Sequence, residues 1–369
     1  MIISFLKSLK FKFLKISAKC IGAFTNSSLN FGPPKGYYLS AEDYLKEHNS
    51  MGKVRCLLDK PSKNLVSTKN GRICLEPWSF ITSDDKVLFQ ESNCYNTEPE
   101  DHWAFKTLKL PKCTHLKGKT LMLSSRRNYW HKLTDDLSLI NLLTINDYNI
   151  DTFDNIICEK PISSAEKQIH EIANIKEEKL VPLSEFKHLE SEELYFMTGN
   201  LALAKDPILQ TRSTILERFK CQSVSPLKRI VIGRDDVNTR RWLNQYESIN
   251  LLKEKYDFEY VSTSQMNLIE QAKLFNETEI VVGIHGAGLT NILFMNNNAT
   301  VIELRYKKQV GQFSSADCYV QLSEIIGIKH ITILCEGIER KQLKGRSVED
   351  ADIEVNLTEL SKVIEMCKN

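Results

Sequence analysis

Short apolar runs alternate with amphipathic stretches along the second half of the chain. Apolar runs predict strands at 229–233, 258–261, 280–283, 300–304 and 330–334, and helix-spaced apolar residues predict helices at 242–256, 266–275 and 319–326. Strands that alternate with helices favour a parallel sheet with right-handed crossovers. The pattern alone therefore predicts a Rossmann-like α/β domain in this half.

The first half of the chain has a weaker pattern. Ser40, followed three residues later by Asp43, is typical of a helix start. Strands are predicted at 54–58, 118–123 and 155–158, and residues 128–143 predict a helix because their leucines and Ile140 fall on one face. The segment 223–226, Ser-Val-Ser-Pro, is the predicted linker between the halves.

The segment 279–294 carries the strongest indication of chemistry. An apolar strand at 280–282 runs into the glycine-rich turn 283–288, and helical spacing resumes at Leu289. Glycine lets backbone amides approach an anion, and the first turn of a helix presents unpaired donors. His285 adds a side-chain donor, so the turn predicts a site for a phosphorylated ligand.

The familiar interpretations of such a turn do not fit. The segment lacks both the dinucleotide pattern G-x-G-x-x-G and the phosphate-loop pattern G-x-x-x-x-G-K-[ST]. An esterase-like oxyanion loop would require a G-x-S-x-G nucleophile elbow, and the chain contains none. A Rossmann oxidoreductase is also disfavoured, since residues 260–264 offer no acid for a ribose.

Four ordered blocks of the chain resemble glycosyltransferase family 61. The segment V-G-I-H-G-A-G-L-T-N-I-L-F-M at 282–295 is similar to the family's G-x-H-G-A-G-L-T-N-x-x-F signature. The other blocks are N-Y-W-H-K-L-T-D-D-L at 128–137, I-V-I-G-R-D-D at 230–236 with Arg240, Arg241 and Asn244, and V-I-E-L at 301–304. They cover roughly residues 126–327. Ser138 departs from the family's usual proline, and the first 115 residues show no such match.

The resemblance implies an α/β protein of the GT-B type, with two Rossmann-like domains facing a cleft. We accordingly expect a basic amphipathic N-terminal segment at 1–31 and an N-terminal, acceptor-side α/β domain at 32–222. A C-terminal Rossmann-like domain at 223–345 would bind the nucleotide sugar, and residues 346–369 would form a C-terminal tail or helix. The implied reaction is transfer of a sugar from a nucleotide-sugar donor to a hydroxyl acceptor with inversion.

The donor diphosphate is expected to bind at the carboxyl edge of the second sheet. Arg234 directly follows a predicted strand there, where a guanidinium would grip a diphosphate or else pair with Asp235 or Asp236. Arg240 is preferred to Arg241, because neighbours on a helix point roughly 100° apart. The predicted donor-binding residues are Arg234, Arg240, His285, Gly286, Ala287, Gly288, Asn291 and Glu303.

Two polar side chains of these blocks, Glu303 and Asn244, have alternative roles. Glu303 interrupts an apolar strand, where it would accept a hydrogen bond from a ribose or sugar hydroxyl or form an ion pair with a nearby cation such as Arg305. Asn244 suits a capping or structural role as well as a ligand contact.

His131 and Asp135 are the predicted catalytic residues. They are four residues apart, so a helix places them on one face. Inverting transfer needs a base for the acceptor hydroxyl, and an Asp–His pair or either residue alone would serve. The alternative is a helix start with Asn128 as its cap and a structurally bonded His131.

Composition limits the classes of partner and cofactor that we expect for this protein. A net charge of +2 argues against nucleic acid as the main partner. The ten cysteines show no C-x-x-C or zinc spacing and are expected to be reduced. The one Asp-x-Asp, at 350–352, lies in a charged stretch expected to be solvated, so we expect no metal and no other cofactor.

Residues 1–23 combine one apolar helical face with recurrent lysines, too many for a transmembrane span. Such a helix would lie on an anionic membrane surface or pack against the protein. The resemblance implies a role in capsule or lipopolysaccharide synthesis. Together with this segment, it leads us to expect a cytoplasmic enzyme, peripheral on the inner membrane face, that extends a glycan or lipid-linked glycan. The alternative is a catalytically silent sugar-nucleotide-binding or scaffolding protein of glycan assembly.

Overall fold

The computed structural model describes residues 32–47, 54–55, 64–74, 79–92, 98–123, 128–197, 203–221, 227–234, 238–310, 317–339 and 348–367. The predicted N-terminal segment 1–31 and the predicted linker 223–226 lie outside the described residues. In the part of the chain that the structure describes, no helix is long and apolar enough to cross a membrane.

The strands are β1 Gly36–Tyr38, β2 Val54–Arg55, β3 Asn64–Cys74, β4 Ser79–Ile81, β5 Lys86–Leu88, β6 Thr114–Met122, β7 Asn155–Ile157, β8 Leu180–Val181, β9 His188–Met197, β10 Lys228–Ile232, β11 Glu259–Val261, β12 Thr278–Ile284, β13 Thr300–Tyr306, β14 Lys329–Ile338 and β15 Asp352–Glu354. The α-helices are α1 Ala41–Glu47, α2 Tyr129–His131, α3 Ser138–Ile145, α4 Ser164–Ile172, α5 Lys205–Arg218, α6 Gln245–Tyr256, α7 Leu268–Asn276, α8 Cys318–Ile326 and α9 Leu357–Cys367. A π-helix spans Lys132–Leu137, and the longest 3₁₀-helix spans Ala287–Phe294.

The chain forms two compact units. The first unit comprises Met1–Arg127, Leu139–Lys160 and Ala173–Leu201, and the second comprises Asn128–Ser138, Pro161–Ile172 and Ala202–Asn369. The second unit thus includes the short helical segment around His131 as well as the C-terminal half. The predicted domain boundaries stay predictions.

The sheet of the first unit is mixed. Its order is β1-β5-β4-β3-β9-β6-β7-β8, with β2 paired to β3. The pairs β1–β5, β9–β6, β6–β7 and β7–β8 are parallel, and the pairs that involve β3 or β4 are antiparallel. Helix α1 starts as predicted, since the amide of Asp43 donates to Oγ of Ser40.

The sheet of the second unit confirms the α/β class predicted from sequence. Its order is β11-β10-β12-β13-β14-β15, and the pairs from β11 to β14 are all parallel. The chain passes from β10 to β11 on one side of β10 and then crosses to β12 on its other side. The strand order therefore reverses between β10 and β12. In open α/β sheets, ligands bind outside the carboxyl ends of strands at such a switch point. The topology therefore predicts a ligand site at the carboxyl ends of β10 and β12.

Alternation along the strands decides which residues face which layer. Every second residue of the central strands is apolar, among them Ile302 and Leu304, and these residues pack in one cluster with Leu252 of α6 and Leu360 of α9. The intervening positions of β13, Glu303 and Arg305, point to the opposite face. Burial of the apolar face fixes the register, since a slip by one residue would exchange the two faces.

Candidate active site

Arg234 and Gly286 meet at the switch point. Arg234 follows β10, its backbone amide donates to Oε1 of Gln245 at 2.9 Å, and its Nη2 donates to the Thr239 carbonyl at 3.0 Å. Gly286 follows β12, and a Cβ atom there would collide with Nη1 of Arg234. The backbone at Gly286 is extended, so glycine is needed for space and not for its conformational freedom.

The next two glycine-turn positions lie at the start of the 3₁₀-helix. Ala287 and Gly288 are partly exposed, unlike the buried Gly286. A Cβ atom on Gly288 would lie 3.2 Å from Ile232 and 3.3 Å from Thr263, a fit tighter than ordinary contact. The sequence predicted a helix after the turn, and the structure forms it as 3₁₀, a tighter coil that is uncommon at eight residues.

Arg240 reaches the turn, and Arg241 does not. Nη1 of Arg240 donates to the His285 carbonyl at 3.0 Å, whereas Nε and Nη2 of Arg241 bind Oδ2 of Asp352 at 3.0 and 2.7 Å. The reason given from sequence, that the two share a helix, is wrong, because α6 begins only at Gln245. The left-handed backbone of Arg240, with φ of 53°, is what separates the two side chains.

The C-terminal segment holds these arginines. Asp350 lies 3.6 Å from Nε of Arg240 and its carbonyl accepts from the Arg240 amide at 3.3 Å. The side chains of Asp350 and Asp352 are only 8% and 5% exposed, so the expectation of a solvated stretch was wrong. Their charge is balanced by the arginines, which allows burial. Asn244 has the structural role, since it donates to and accepts from the backbone of Val355.

His285, Glu303 and His330 form a chain on one face of the sheet. Nδ1 of His285 lies 2.6 Å from Oε1 of Glu303, and Oε2 of Glu303 lies 3.1 Å from Nε2 of His330. Nδ1 of His330 lies 2.9 Å from Oγ of Ser323 on α8. The parallel register produces this arrangement, because Glu303 on β13 sits between the end of β12 and His330 on β14.

Glu303 is a fixed carboxylate. Its burial alone would raise its pKa, but hydrogen bonds from His285 and His330 and their charges outweigh burial and lower the pKa to about 2. Because a carboxylate only accepts hydrogen bonds, Nδ1 of His285 must carry a proton. Glu303 is completely buried and both its oxygens are occupied, so its contacts orient His285, and a direct contact with a ribose or sugar hydroxyl stays a prediction.

Tyr319 joins the turn to the helical segment around His131. Its hydroxyl donates to the Gly286 carbonyl at 2.6 Å, and its ring lies 5.1 Å from those of both His285 and Trp130. Burial raises the pKa of Tyr319 well above its ordinary value, so the phenol stays a donor. The side chain therefore fixes the turn from the α8 side.

Asn291 makes a second link to this segment. Its Oδ1 accepts from the Tyr129 hydroxyl at 2.9 Å, and its Nδ2 donates to Oε1 of Gln271 at 2.6 Å. Asn291 is completely buried. Its described contacts are therefore structural, and its predicted donor contact stays a prediction.

The predicted pair of His131 and Asp135 is formed. Nδ1 of His131 lies 2.6 Å from Oδ2 of Asp135, with side chains 15% and 20% exposed. Asn128 also caps this helix by accepting from the Trp130 amide at 2.9 Å, so the cap and the pair coexist. The neighbouring Asp136 points inward to the buried Lys132 at 2.9 Å. A π-helix begins directly after His131, a distortion often found at functional sites.

Sequence reasoning missed Tyr319, His330 and Asp350. Tyr319 and His330 belong to no recognisable local pattern, although His330 does interrupt an apolar strand as Glu303 does. Asp350 belongs to the Asp-x-Asp that was expected to be solvated. Among the described residues, no group of three or more His, Cys, Asp or Glu side chains is arranged to hold a metal ion. The predicted absence of a metal cofactor stays a prediction.

Comparison with known proteins places these residues in a family. The family model described as Glycosyltransferase 61 matches residues 101–302, more than half of the chain. The chain belongs to glycosyltransferase family 61. The match includes His131, Asp135, Arg234, Arg240 and the glycine-rich turn, whereas Glu303, Tyr319, His330 and Asp350 follow it.

Relatives in family 61 match over limited segments. A 110-residue segment is 33% identical to the EGF domain-specific O-linked N-acetylglucosamine transferase of Rattus norvegicus and 32% identical to that of Bos taurus, over 28% of this chain and 19% of each relative. A 161-residue segment is 27% identical to the Alpha-1,3-arabinosyltransferase XAT3 of Oryza sativa subsp. japonica, over 43% of this chain and 26% of the relative. The matched segments thus span about a quarter or less of these relatives.

Proposed function

We propose that this family 61 member is an inverting glycosyltransferase that moves a sugar from a nucleotide-sugar donor to a hydroxyl acceptor. The observation that carries the proposal is the gathering of Arg234, Arg240 and His285 where β10 and β12 end, at the reversal of strand order. Three potential cations around a glycine turn suit the leaving diphosphate of such a donor.

In this proposal the diphosphate lies against the glycine-rich turn. Arg234 and Arg240 supply fixed positive charge, and the imidazole of His285, held at Nδ1 by Glu303, presents its Nε2 side to the phosphate. Preorganised donors of this kind stabilise charge as it develops on the leaving group. Arg234 and Arg240 are already held by backbone carbonyls, so binding of the donor costs little side-chain conformational entropy.

The acceptor hydroxyl gives its proton to His131. Asp135 accepts from Nδ1, so the neutral imidazole has its lone pair at Nε2. The acceptor oxygen forms a bond to the anomeric carbon as the bond from that carbon to the diphosphate oxygen breaks. The proton moves to Nε2 of His131 and the electron pair leaves with the nucleoside diphosphate. Attack from the face opposite the leaving group inverts the anomeric centre. No metal takes part in this step.

The finer features of the proposal come from the sequence resemblance. They are the GT-B arrangement of two Rossmann-like domains around a cleft, and a glycan or lipid-linked glycan acceptor in capsule or lipopolysaccharide synthesis. The enzyme would then work in the cytoplasm at the inner membrane face, with residues 1–23 on the membrane surface. Equal flotation with anionic vesicles of the full chain and of a chain lacking residues 1–23 would contradict the membrane contact.

The proposal is tested by calorimetry of the purified protein with uridine, guanosine and cytidine diphosphate sugars. We expect micromolar binding of one of them, lost in Arg234→Ala and in His285→Ala but kept in Arg241→Ala, whose side chain pairs with Asp352 instead. Correctly folded wild-type protein that binds none of them would refute the proposed donor site and favour the scaffolding function.

A further inference from the structure

Arg305 is a buried cation that the donor site does not use. It lies two residues beyond Glu303 on β13, so its side chain is on the same face of the sheet, and it is 2% exposed. Its Nη1 donates to Oδ1 of Asp317 at 2.9 Å. Within the described residues, its Nε and Nη2 are buried without a hydrogen-bond partner.

Unmade hydrogen bonds of a buried guanidinium are costly. A buried donor without a partner loses its hydrogen bonds to water and gains none in return, and the cost is larger when the group is charged. Nε and Nη2 are also the two donors that form one edge of the guanidinium plane. That edge matches the two oxygens of a phosphate or carboxylate in a bidentate pair. Arg305 therefore has the geometry of an anion-binding residue whose second partner is a ligand.

A helix terminus lies at the same place. Asp317, the partner of Nη1, is the N-cap residue of the nine-residue helix α8, and its side chain makes no capping hydrogen bond. The first amides of a helix are unpaired donors and carry a partial positive charge. The Asp317 side chain is 49% exposed, so the Arg305–Asp317 pair connects the guanidinium to solvent. The guanidinium and the N-terminus of α8 are thus linked through Asp317, and each of them favours an anion.

We propose that the Nε–Nη2 edge of Arg305 and the N-terminus of α8 form a second anion subsite, which takes a phosphate or carboxylate group of a sugar substrate. The subsite lies at the carboxyl end of β13, and Arg234 and Arg240 lie beyond the ends of β10 and β12. Only the source of the anion rests on the proposed transferase function. Phosphate would come from the activated donor or a phosphorylated acceptor, and carboxylate from an acidic sugar.

The test uses the full chain in an Arg234→Ala background, which removes the proposed diphosphate site. Calorimetry with pyrophosphate and with glucuronate separates the two sources of anion. We expect Arg305→Gln to weaken binding of one probe by about tenfold or more, because a charge-assisted bidentate contact is lost. Arg305→Lys keeps the charge without the planar edge, so its affinity for the probe should lie between those of the Arg305 protein and Arg305→Gln.

Asp317→Asn should change the affinity for the anion in the opposite direction. Asp317 repels an incoming anion and competes for the guanidinium, so its neutral variant should bind the same probe several-fold more tightly. The matched controls are Arg229→Gln and Glu279→Gln, an ion pair at the amino ends of β10 and β12, and both should leave binding unchanged. Thermal unfolding establishes that each variant is folded.

Each result decides the matter. Opposite shifts in Arg305→Gln and Asp317→Asn support the subsite, and the probe affected names the anion. If neither probe binds, or if the affinities are equal across the folded variants, the proposal is overturned. Loss of binding in both variants would also overturn it, since that is expected of a purely structural ion pair. Failure of the donor site appears separately, as absence of nucleotide-sugar binding to the wild-type chain.

Discussion

The second unit contains two histidine–carboxylate pairs with the same short contact and different surroundings. His131 and Asp135 are one helical turn apart, and their side chains are 15% and 20% exposed. His285 and Glu303 come from neighbouring strands, and Glu303 is completely buried beneath a second imidazole, that of His330. In both pairs the Nδ1–carboxylate distance is 2.6 Å.

The difference between the pairs indicates different chemistry for the same two groups. Asp135 is itself partly exposed, so a proton that His131 takes from a substrate has a route to solvent. Glu303 is held as a carboxylate by two imidazoles, which fixes its charge and the orientation of His285. The two imidazoles are about equally accessible, and only the carboxylates differ in burial. We therefore assign proton transfer to the pair with the partly exposed carboxylate, called the exposed pair, and phosphate binding to the pair with the buried carboxylate, called the buried pair. The following predictions test that assignment.

The largest effect is expected at the exposed pair. His131→Ala and Asp135→Asn should lower turnover by roughly 10²–10⁴-fold, the usual contribution of acid–base catalysis, while donor affinity stays near wild type. Steady-state kinetics and calorimetry measure the two quantities separately. Glu217→Gln, at an exposed carboxylate that pairs with Ser213 four residues away, is the control. Near-normal turnover in both variants would remove this pair from the mechanism.

For substitutions at the buried pair we expect a loss of donor affinity. His285→Ala and Glu303→Gln should weaken donor affinity about 10–100-fold, since a hydrogen bond to a charged group contributes roughly 1.5–3 kcal/mol. Glu336→Gln changes an exposed carboxylate on the adjacent strand β14 and should leave affinity unchanged. If Glu303→Gln instead lowered turnover with full donor affinity, the assignment of the two pairs would have to be exchanged.

A smaller effect is expected in the stability of the fold at acid pH. The folded-state pKa of Glu303 is lowered from 4.5 to about 2, so its carboxylate stabilises the fold above about pH 4.5. That stabilisation is lost as the pH falls from about 4.5 to about 2. Urea unfolding should thus show a wild-type advantage over Glu303→Gln that shrinks across this window. An advantage independent of pH would show that the charge is not what stabilises the pair.

The smallest effect is expected when a metal ion is added or removed, because turnover should not change. In the proposed mechanism Arg234, Arg240 and His285 supply the positive charge at the diphosphate, so turnover should be the same with EDTA as with Mn²⁺. Activity measured after exhaustive chelation and after Mn²⁺ addition tests this directly. Stimulation by Mn²⁺ that EDTA reverses would assign the diphosphate to a metal and reduce the role of the buried pair.

Much of the second unit could be predicted from the sequence because its signals are local. Each predicted strand and helix from β10 to β14 exists, with bounds shifted by a few residues. The first unit was harder, and its long central strands β3 and β9 were missed. They pair with each other in antiparallel register, and such pairing depends on residues more than a hundred positions apart.

The sequence by itself determined the glycine turn, the family and the pairing of His131 with Asp135, because each depends on residues close together in the chain. Only the tertiary structure decided that Glu303 lies between His285 and His330, that Asp350 holds Arg240, and that Arg305 meets the start of α8. Those contacts depend on strand order and register. Burial of the opposite, apolar face sets that register, and the spacing of residues along the chain does not predict it.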